Sequence, residues 1–422
     1  MKVLLSAYSC FPCQTSEPGN AWRMIHEALK EHEVWTVIAD AHRYRELTEP
    51  WLARNPLPNF HPVFIKLNPV LQRLSTQVAT SAIYYHLWQE NLRGVVRDLH
   101  ARVGFDLVHH ITYGRYWSPS GLRVLKVPFI WGPVGAAETP PRALVRELPL
   151  RCQLIEVARD TARNLCERTA ALRDTARAAT IAIGVTRETC EALRRLGAPR
   201  VERLPQTALT EADLAQFAAL PDPPPGPLRA ICVGRHVYWK GFYLAIRAFA
   251  RFAATSPQAE LWIVNEGPFR AELEKTAAAT GVSARVKFLG TLPKYSDVLD
   301  RLGRSHVLLH PALHEGFGNV CLEAMAAGRP VGCLDIGGPA SQITPETGFA
   351  APATHPAEAV AALADFLERL DRDRARLAVM SAAARAHVQQ HFTMRRVNEQ
   401  LRAFYGEAVA AHRRNSELVA HA

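Results

Sequence analysis

The chain has 422 residues, and no apolar run in it approaches the length needed to cross a bilayer. Met1-Lys2 is followed by only a handful of apolar residues before Ser9-Cys10-Phe11-Pro12, so no secretory leader is expected. A cytoplasmic location is the expectation, with attachment to a membrane surface left open. Eight cysteines in a chain this long are not a disulfide framework, and Cys232 and Cys321 fall in strand or helix patterns as small buried hydrophobes do. Cys10 and Cys13 form a C-x-x-C in the loop after the first strand, where a redox pair is one reading. No second pair or nearby histidine pair completes a zinc site, and neither a metal nor a cofactor is expected. There is no basic–aromatic stripe, which argues against a nucleic-acid partner.

What is present describes an ordinary folded chain, with 48% hydrophobic and 21% charged residues. Its length exceeds what one core usually supports, so two domains are expected. The net charge of +10 is uneven: residues 1–200 hold 26 Lys+Arg against 18 Asp+Glu, and residues 201–422 hold 24 against 22. The first half should therefore carry a positive field, suited to an acidic acceptor, anionic lipid or nucleic acid, the alternative being a solvated basic face with no partner. Residues 142–177 concentrate this charge in a helical pattern that could touch an anionic membrane. Interleaved Glu147, Glu156, Asp160, Glu167 and Asp174 weigh against that reading.

Strand patterns recur along the chain at 2–7, 33–39, 61–67, 107–112, 127–131 and 180–185. Helical patterns separate them, at 21–30, 76–103 and 151–177, with a turn-rich loop at 12–20. This alternation predicts a parallel sheet with helices on both faces. Pro221, Pro223, Pro224, Pro225 and Pro227 mark a stretch fit for neither helix nor central strand, so an interdomain linker is expected at 206–227. A second strand series follows at 229–233, 260–264, 285–289, 306–309 and 331–334, with helices at 242–254, 268–280 and 319–327. The expected division is 1–205, then 228–392, then a final helical segment 393–422.

The densest chemistry lies at residues 313–328, LHEGFGNVCLEAMAAG. A short buried strand leads into a Gly-rich turn and then a helix, which Gly328 and Pro330 end. Backbone N–H groups at such a helix start favour negative charge. Glu315 at the strand tip and Glu323 inside the helix can bracket one ligand, and acceptor-only carboxylates suit hydroxyl groups, as on sugars. The run EGFGNVCLEAMAAGRPV resembles the Glu-x7-Glu motif of the retaining nucleotide-sugar glycosyltransferases of family 4. The run VGRHVYWKGFYLAIRAF, from Val233, resembles the same family's G-R…K-G donor signature.

That resemblance implies a GT-B fold, an α/β architecture of two Rossmann-like doubly wound domains facing a central cleft. The first domain would bind acceptor and the second a nucleotide sugar, with the last helix crossing back toward the first domain. It implies transfer of a hexose or N-acetylhexosamine from a UDP- or GDP-sugar, with retention, to a glycan, lipid-linked or small-molecule acceptor. Arg235 and Lys240 would hold the diphosphate, where positive charge counts most as the leaving group develops. Glu315 would contact the donor sugar and Glu323 the ribose. Gly19, Gly234, Glu266, Gly267, Leu289, Val320 and the backbone of Phe317, Gly318 and Asn319 would complete the donor site. Asn265 replaces a usual glycine in the turn before Glu266, and asparagine tolerates a left-handed backbone. Where relatives place a histidine after a first-domain strand, this chain has Gly132-Pro133. His110 is the expected substitute, with His109 and Glu138 as further sugar contacts. Asp371-Arg372-Asp373 spells the metal motif of another transferase fold but falls in a charged helical stretch, so it reads as surface. The alternatives are a nucleotide-sugar epimerase of the same fold or a non-catalytic sugar-nucleotide-binding protein.

Overall fold

The computed structural model describes all residues except 14–15, 41–42, 68–80, 113 and 421–422, and the side chains of 16, 81–82 and 415–420 are outside the description. Two compact units appear, one of residues 1–137, 161–206 and 397–422, the other of 138–160 and 207–396.

The first unit is built on strands β1 (Lys2–Ser6), β2 (Glu33–Ala39), β3 (Phe60–Ile65), β4 (Leu107–His110), β5 (Phe129–Val134), β6 (Ile181–Gly184) and β7 (Val201–Arg203). They form a parallel sheet ordered β3-β2-β1-β4-β5-β6-β7. The helix Ser81–Val103 presses Tyr84, Tyr85, Trp88, Leu92 and Val96 onto this sheet. The expected start of that helix at 76 lies outside the described residues. The C-terminal helix Met394–Ala420 belongs to this unit from Val397 onward.

The second unit carries β8 (Arg229–Val233), β9 (Glu260–Val264), β10 (Val286–Gly290), β11 (Val307–His310), β12 (Val331–Leu334) and β13 (Gly348–Ala351). Its parallel order is β10-β9-β8-β11-β12-β13. In both sheets the order reverses beside the first strand, between β1 and β4 and between β8 and β11. Ligands of doubly wound sheets bind outside the carboxyl ends of strands at this switch point. The two stretches singled out by sequence, after Val233 and after His310, follow β8 and β11 and so meet there.

Three expectations are corrected. The helix expected from 21 runs Ser16–Leu29, because Pro18 falls in its first turn, where a missing N–H has no intrahelical partner to lose. Residues 138–160 pack with the second unit: Leu144, Leu148 and Cys152 share a core with Phe242, Tyr243 and Phe249. The segment 206–227 is about one-third helix, Glu211–Ala218, started by a capping box in which Thr210 and Asp213 bond reciprocally. The proline run after it lacks regular structure.

That proline run is tied down by Arg329, which is fully buried. Its guanidinium donates to the carbonyls of Leu302, Ala327, Pro221 and Gly303. Arg329→Met keeps the volume but orphans those carbonyls, so it should cost about 2–4 kcal/mol in urea unfolding. A loss within 0.5 kcal/mol of zero would show the bonds to be dispensable.

Candidate active site

The site is assembled by the interlocking of two turns. After β8, Gly234 adopts φ 149°, Arg235 projects into solvent, and a 3-10 turn over Tyr238–Lys240 ends at Gly241 with φ 67°. A Cβ at 241 would stand 1.8 Å from the carbonyl oxygen of Pro311, so only glycine lets the two turns approach. Leu313 N–H then donates to Trp239 O at 2.7 Å. The result places the Lys240 ammonium in an ion pair with Glu315. Lys240 and Glu315 side chains are about one-fifth exposed, at 19% and 21%. His310, the fully buried last residue of β11, brings Nε2 to 3.5 Å from the same Glu315 oxygen.

Burial works to raise the Glu315 pKa, but hydrogen bonding from His310 and the charge of Lys240 outweigh it and hold the carboxyl at about 2. Glu315 is therefore ionised throughout the physiological range. Burial, with the neighbouring Lys240 charge, lowers the His310 pKa.

Downstream, Gly318 takes φ 79° and opens the helix Asn319–Ala326. Phe317 and Gly318 are buried, Val320 is half-buried and Asn319 is exposed. The turn is braced by Gly337 and Gly338, which sequence reading passed over. Gly338 N–H donates to Glu315 O at 2.8 Å, and a Cβ on Gly338 would meet Gly316 O and Phe317 Cα at 2.5 Å. The adjacent glycine pair was the available signal. Glu323, one turn into the helix, has its pKa raised to about 7. Burial is the main cause, with Asp213 adding to it, and a hydrogen bond from Tyr295 opposes it. Nothing in sequence spacing links Tyr295 or Asp213 to Glu323.

The turn after β9 keeps its shape with asparagine: Asn265 adopts φ 91° and its Oδ1 accepts from Glu266 N–H at 2.9 Å. Gly267 lies against the His236 backbone, 2.4 Å from its oxygen at the Cβ position. Glu266 is ion-paired with Arg270 at 2.8 Å, and Arg270 covers the Phe288 ring next to half-buried Leu289.

Behind the Lys240 and Glu315 turns, buried Glu156 accepts from Tyr238 OH at 2.7 Å and His314 Nε2 at 2.9 Å. One carboxylate thus holds the residue two before Lys240 and the residue just before Glu315. Glu138 belongs to this unit as well, buried with its Cγ 3.0 Å from the Cβ position of Gly337.

The first-unit candidates are placed otherwise. His109 is buried, donating from Nε2 to Gly132 O at 2.6 Å and accepting from Tyr405 OH at 2.9 Å. His110 is buried with Nδ1 3.1 Å from Ser120 Oγ and Nε2 3.4 Å from Tyr85 OH. Burial lowers their pKa values to about 4 and about 3. Both are neutral, hydrogen-bonded core groups. Gly132 is required for packing: a Cβ there would lie 2.2 Å from Ile183 O, leaving no room for a histidine. Gly19 is buried in the first turn of its helix and not in a loop.

The remaining motifs are structural. Asp373 caps the helix Arg374–His391 through Arg376 N–H, and Asp371 holds Ser256 and Arg374. Burial pushes the Cys10 thiol up, opposite to a reactive thiolate. Among the described residues, no group of three or more His, Cys, Asp or Glu side chains is placed to hold a metal ion.

Residues 220–408 match the family of glycosyl transferases group 1, so the second half of the chain carries a domain of that family. A GDP-mannose-dependent monoacylated alpha-(1-6)-phosphatidylinositol monomannoside mannosyltransferase of Corynebacterium glutamicum is 36% identical over 177 residues. That match covers 40% of this chain and 45% of the relative, less than half the length of either. Among solved structures, sucrose-phosphate synthase of Thermosynechococcus elongatus aligns over 97% of this chain and 99% of its own, with TM-score 0.65 and 20% identity. Anabaena HepE in complex with UDP aligns over 96% and 100%, with TM-score 0.58 and 18% identity. The fold is GT-B, as the neighbouring glycosyltransferases have it.

The raised pKa of Glu323 gives a signed pH effect. Between about 4.5 and about 7 the folded state holds the proton that the unfolded state has lost. The stabilisation by neutral Glu323 is full below that window and is lost as pH rises through it. Glu323→Gln, neutral at every pH, should gain about 2 kcal/mol on wild type between pH 5 and pH 8 in paired denaturation curves. A pH-independent difference would refute the raised pKa.

Proposed function

We propose that the protein is a glycosyltransferase that moves a hexose or N-acetylhexosamine from a nucleotide sugar to an acceptor hydroxyl, with retention at the anomeric carbon. The observation that carries this reading is the Lys240–Glu315 pair at the β8–β11 switch point, inside a segment matching glycosyl transferases group 1. Lys240 has three N–H donors, so it can keep Glu315 while taking a donor phosphate. Arg235 makes no side-chain hydrogen bond or ion pair among the described residues and is exposed for the same task. Glu315, held ionised, accepts from sugar hydroxyls and cannot serve as the proton donor at neutral pH. Glu323, desolvated in the free protein, becomes a better acceptor once ribose hydroxyls donate to its charged form. No metal enters this scheme.

Retention is supported by the Glu-x7-Glu pattern and by the state of the histidines. An inverting enzyme needs a base for the acceptor hydroxyl. His109 and His110 are buried, engaged and neutral, and they do not supply it. The scheme is then front-face substitution: the anomeric C–O bond to phosphate breaks, the acceptor oxygen bonds to that carbon, and the acceptor proton passes to the leaving phosphate. The curated relative named for GDP-mannose and the solved neighbour named with UDP make both nucleotides donors to test. Glycans, glycolipids and small hydroxylated molecules are the acceptor classes.

Incubation with UDP- and GDP-sugars should give slow hydrolysis, and transfer once an acceptor is found. Lys240→Ala should lower turnover by about 10²–10³ while the fold is kept. Near-native turnover in that variant, or a product of inverted anomeric configuration by NMR coupling constant, would overturn the reading.

A further inference from the structure

Half of the large apolar side chains exposed among the described residues lie on one helix. Leu150, Leu154, Ile155, Val157 and Leu165 of Leu150–Glu167 are 52% to 69% exposed, and only five others occur elsewhere. Positions 150, 154, 157, 161 and 165 fall on one side of a 3.6-residue helix, so Leu150, Leu154, Val157 and Leu165 make a stripe interrupted only by exposed Thr161.

Four of the five acidic residues that seemed to spoil this face are engaged elsewhere, and the fifth, exposed Asp174, lies on the next helix, Ala170–Ala178. Glu156 is buried under Tyr238 and His314, and Glu167 accepts from Tyr116 OH. Asp160 lies 3.9 Å from Arg159, and Glu147, just before the helix, is ion-paired with Arg247. At both ends of the stripe stand exposed arginines, Arg142 and Arg146 ahead of it and Arg168 beyond it. None of these three has an ion pair among the described residues. Arg168 follows directly on the last residue of the helix, Glu167.

We propose that this helix face docks the protein on an anionic lipid bilayer. The apolar stripe enters the boundary between headgroups and acyl chains, and the terminal arginines meet lipid phosphates. The charge pattern selects this occupant over a second copy of the chain, which would set arginines against arginines. The attachment is peripheral, since no helix among the described residues is long and apolar enough to cross a membrane.

The test is co-sedimentation of the full chain with vesicles of phosphatidylcholine alone or doped with phosphatidylglycerol. Wild type should pellet with the doped vesicles and be released by salt. Leu154→Glu/Val157→Glu should lose about tenfold or more of that binding, with an unchanged melting temperature because both positions are exposed. Arg168→Glu should weaken binding in proportion to vesicle charge. Wild type that stays in the supernatant at low salt, or a double variant that binds equally, would overturn the proposal. So would a wild-type dimer in light scattering that the double variant turns into a monomer without any vesicle binding.

Discussion

The close approach of Gly241 to Pro311 is the constraint on which the site depends. A side chain at 241 would separate the turns that follow β8 and β11. With glycine there, Trp239 O reaches Leu313 N–H, and Lys240 and Glu315 meet. The pairing leaves Glu315 charged although it is largely removed from solvent. Isolated, such a carboxylate would neutralise itself. The sheet contributes by making β8 and β11 neighbours, so that residues 75 positions apart meet beyond the carboxyl ends of these strands.

Support continues behind the first contacts. Glu156 holds Tyr238 and His314, while the Gly337–Gly338 backbone fixes the turn from Glu315 to Gly318. Side chains held this way spend little entropy when a ligand arrives. Glu323 differs in kind. Its environment favours the neutral acid, so ligand hydroxyls that favour the anion would shift its protonation on binding.

Much of the fold was legible because strand residues are continuous apolar runs, as buried parallel strands require. The strands at 229–233, 260–264 and 331–334 were read to the residue. The edge strands β7, VER, and β13, GFAA, carry no run of large apolar side chains and so show no strand pattern. The left-handed turn at Asn265 was legible from residue chemistry, and the early start of the first helix was not, because Pro18 reads as a loop former unless its first-turn position is known. At the site, motif spacing reached Lys240, Glu315 and Glu323. His310, Tyr295, Asp213 and Glu156 required the packing, since each joins the site from a distant element. The setting of His110 between the Ser120 and Tyr85 hydroxyls was not legible either, because a strand-end histidine looks alike in sequence whatever it faces.

A crystal structure with an intact or inert nucleotide-sugar donor tests the central claim most directly. The account predicts phosphate oxygens within hydrogen-bond reach of Lys240 Nζ and Arg235, sugar hydroxyls on Glu315, and ribose hydroxyls on Glu323. A nucleotide bound elsewhere, with the Lys240–Glu315 pair untouched by it, would contradict the account.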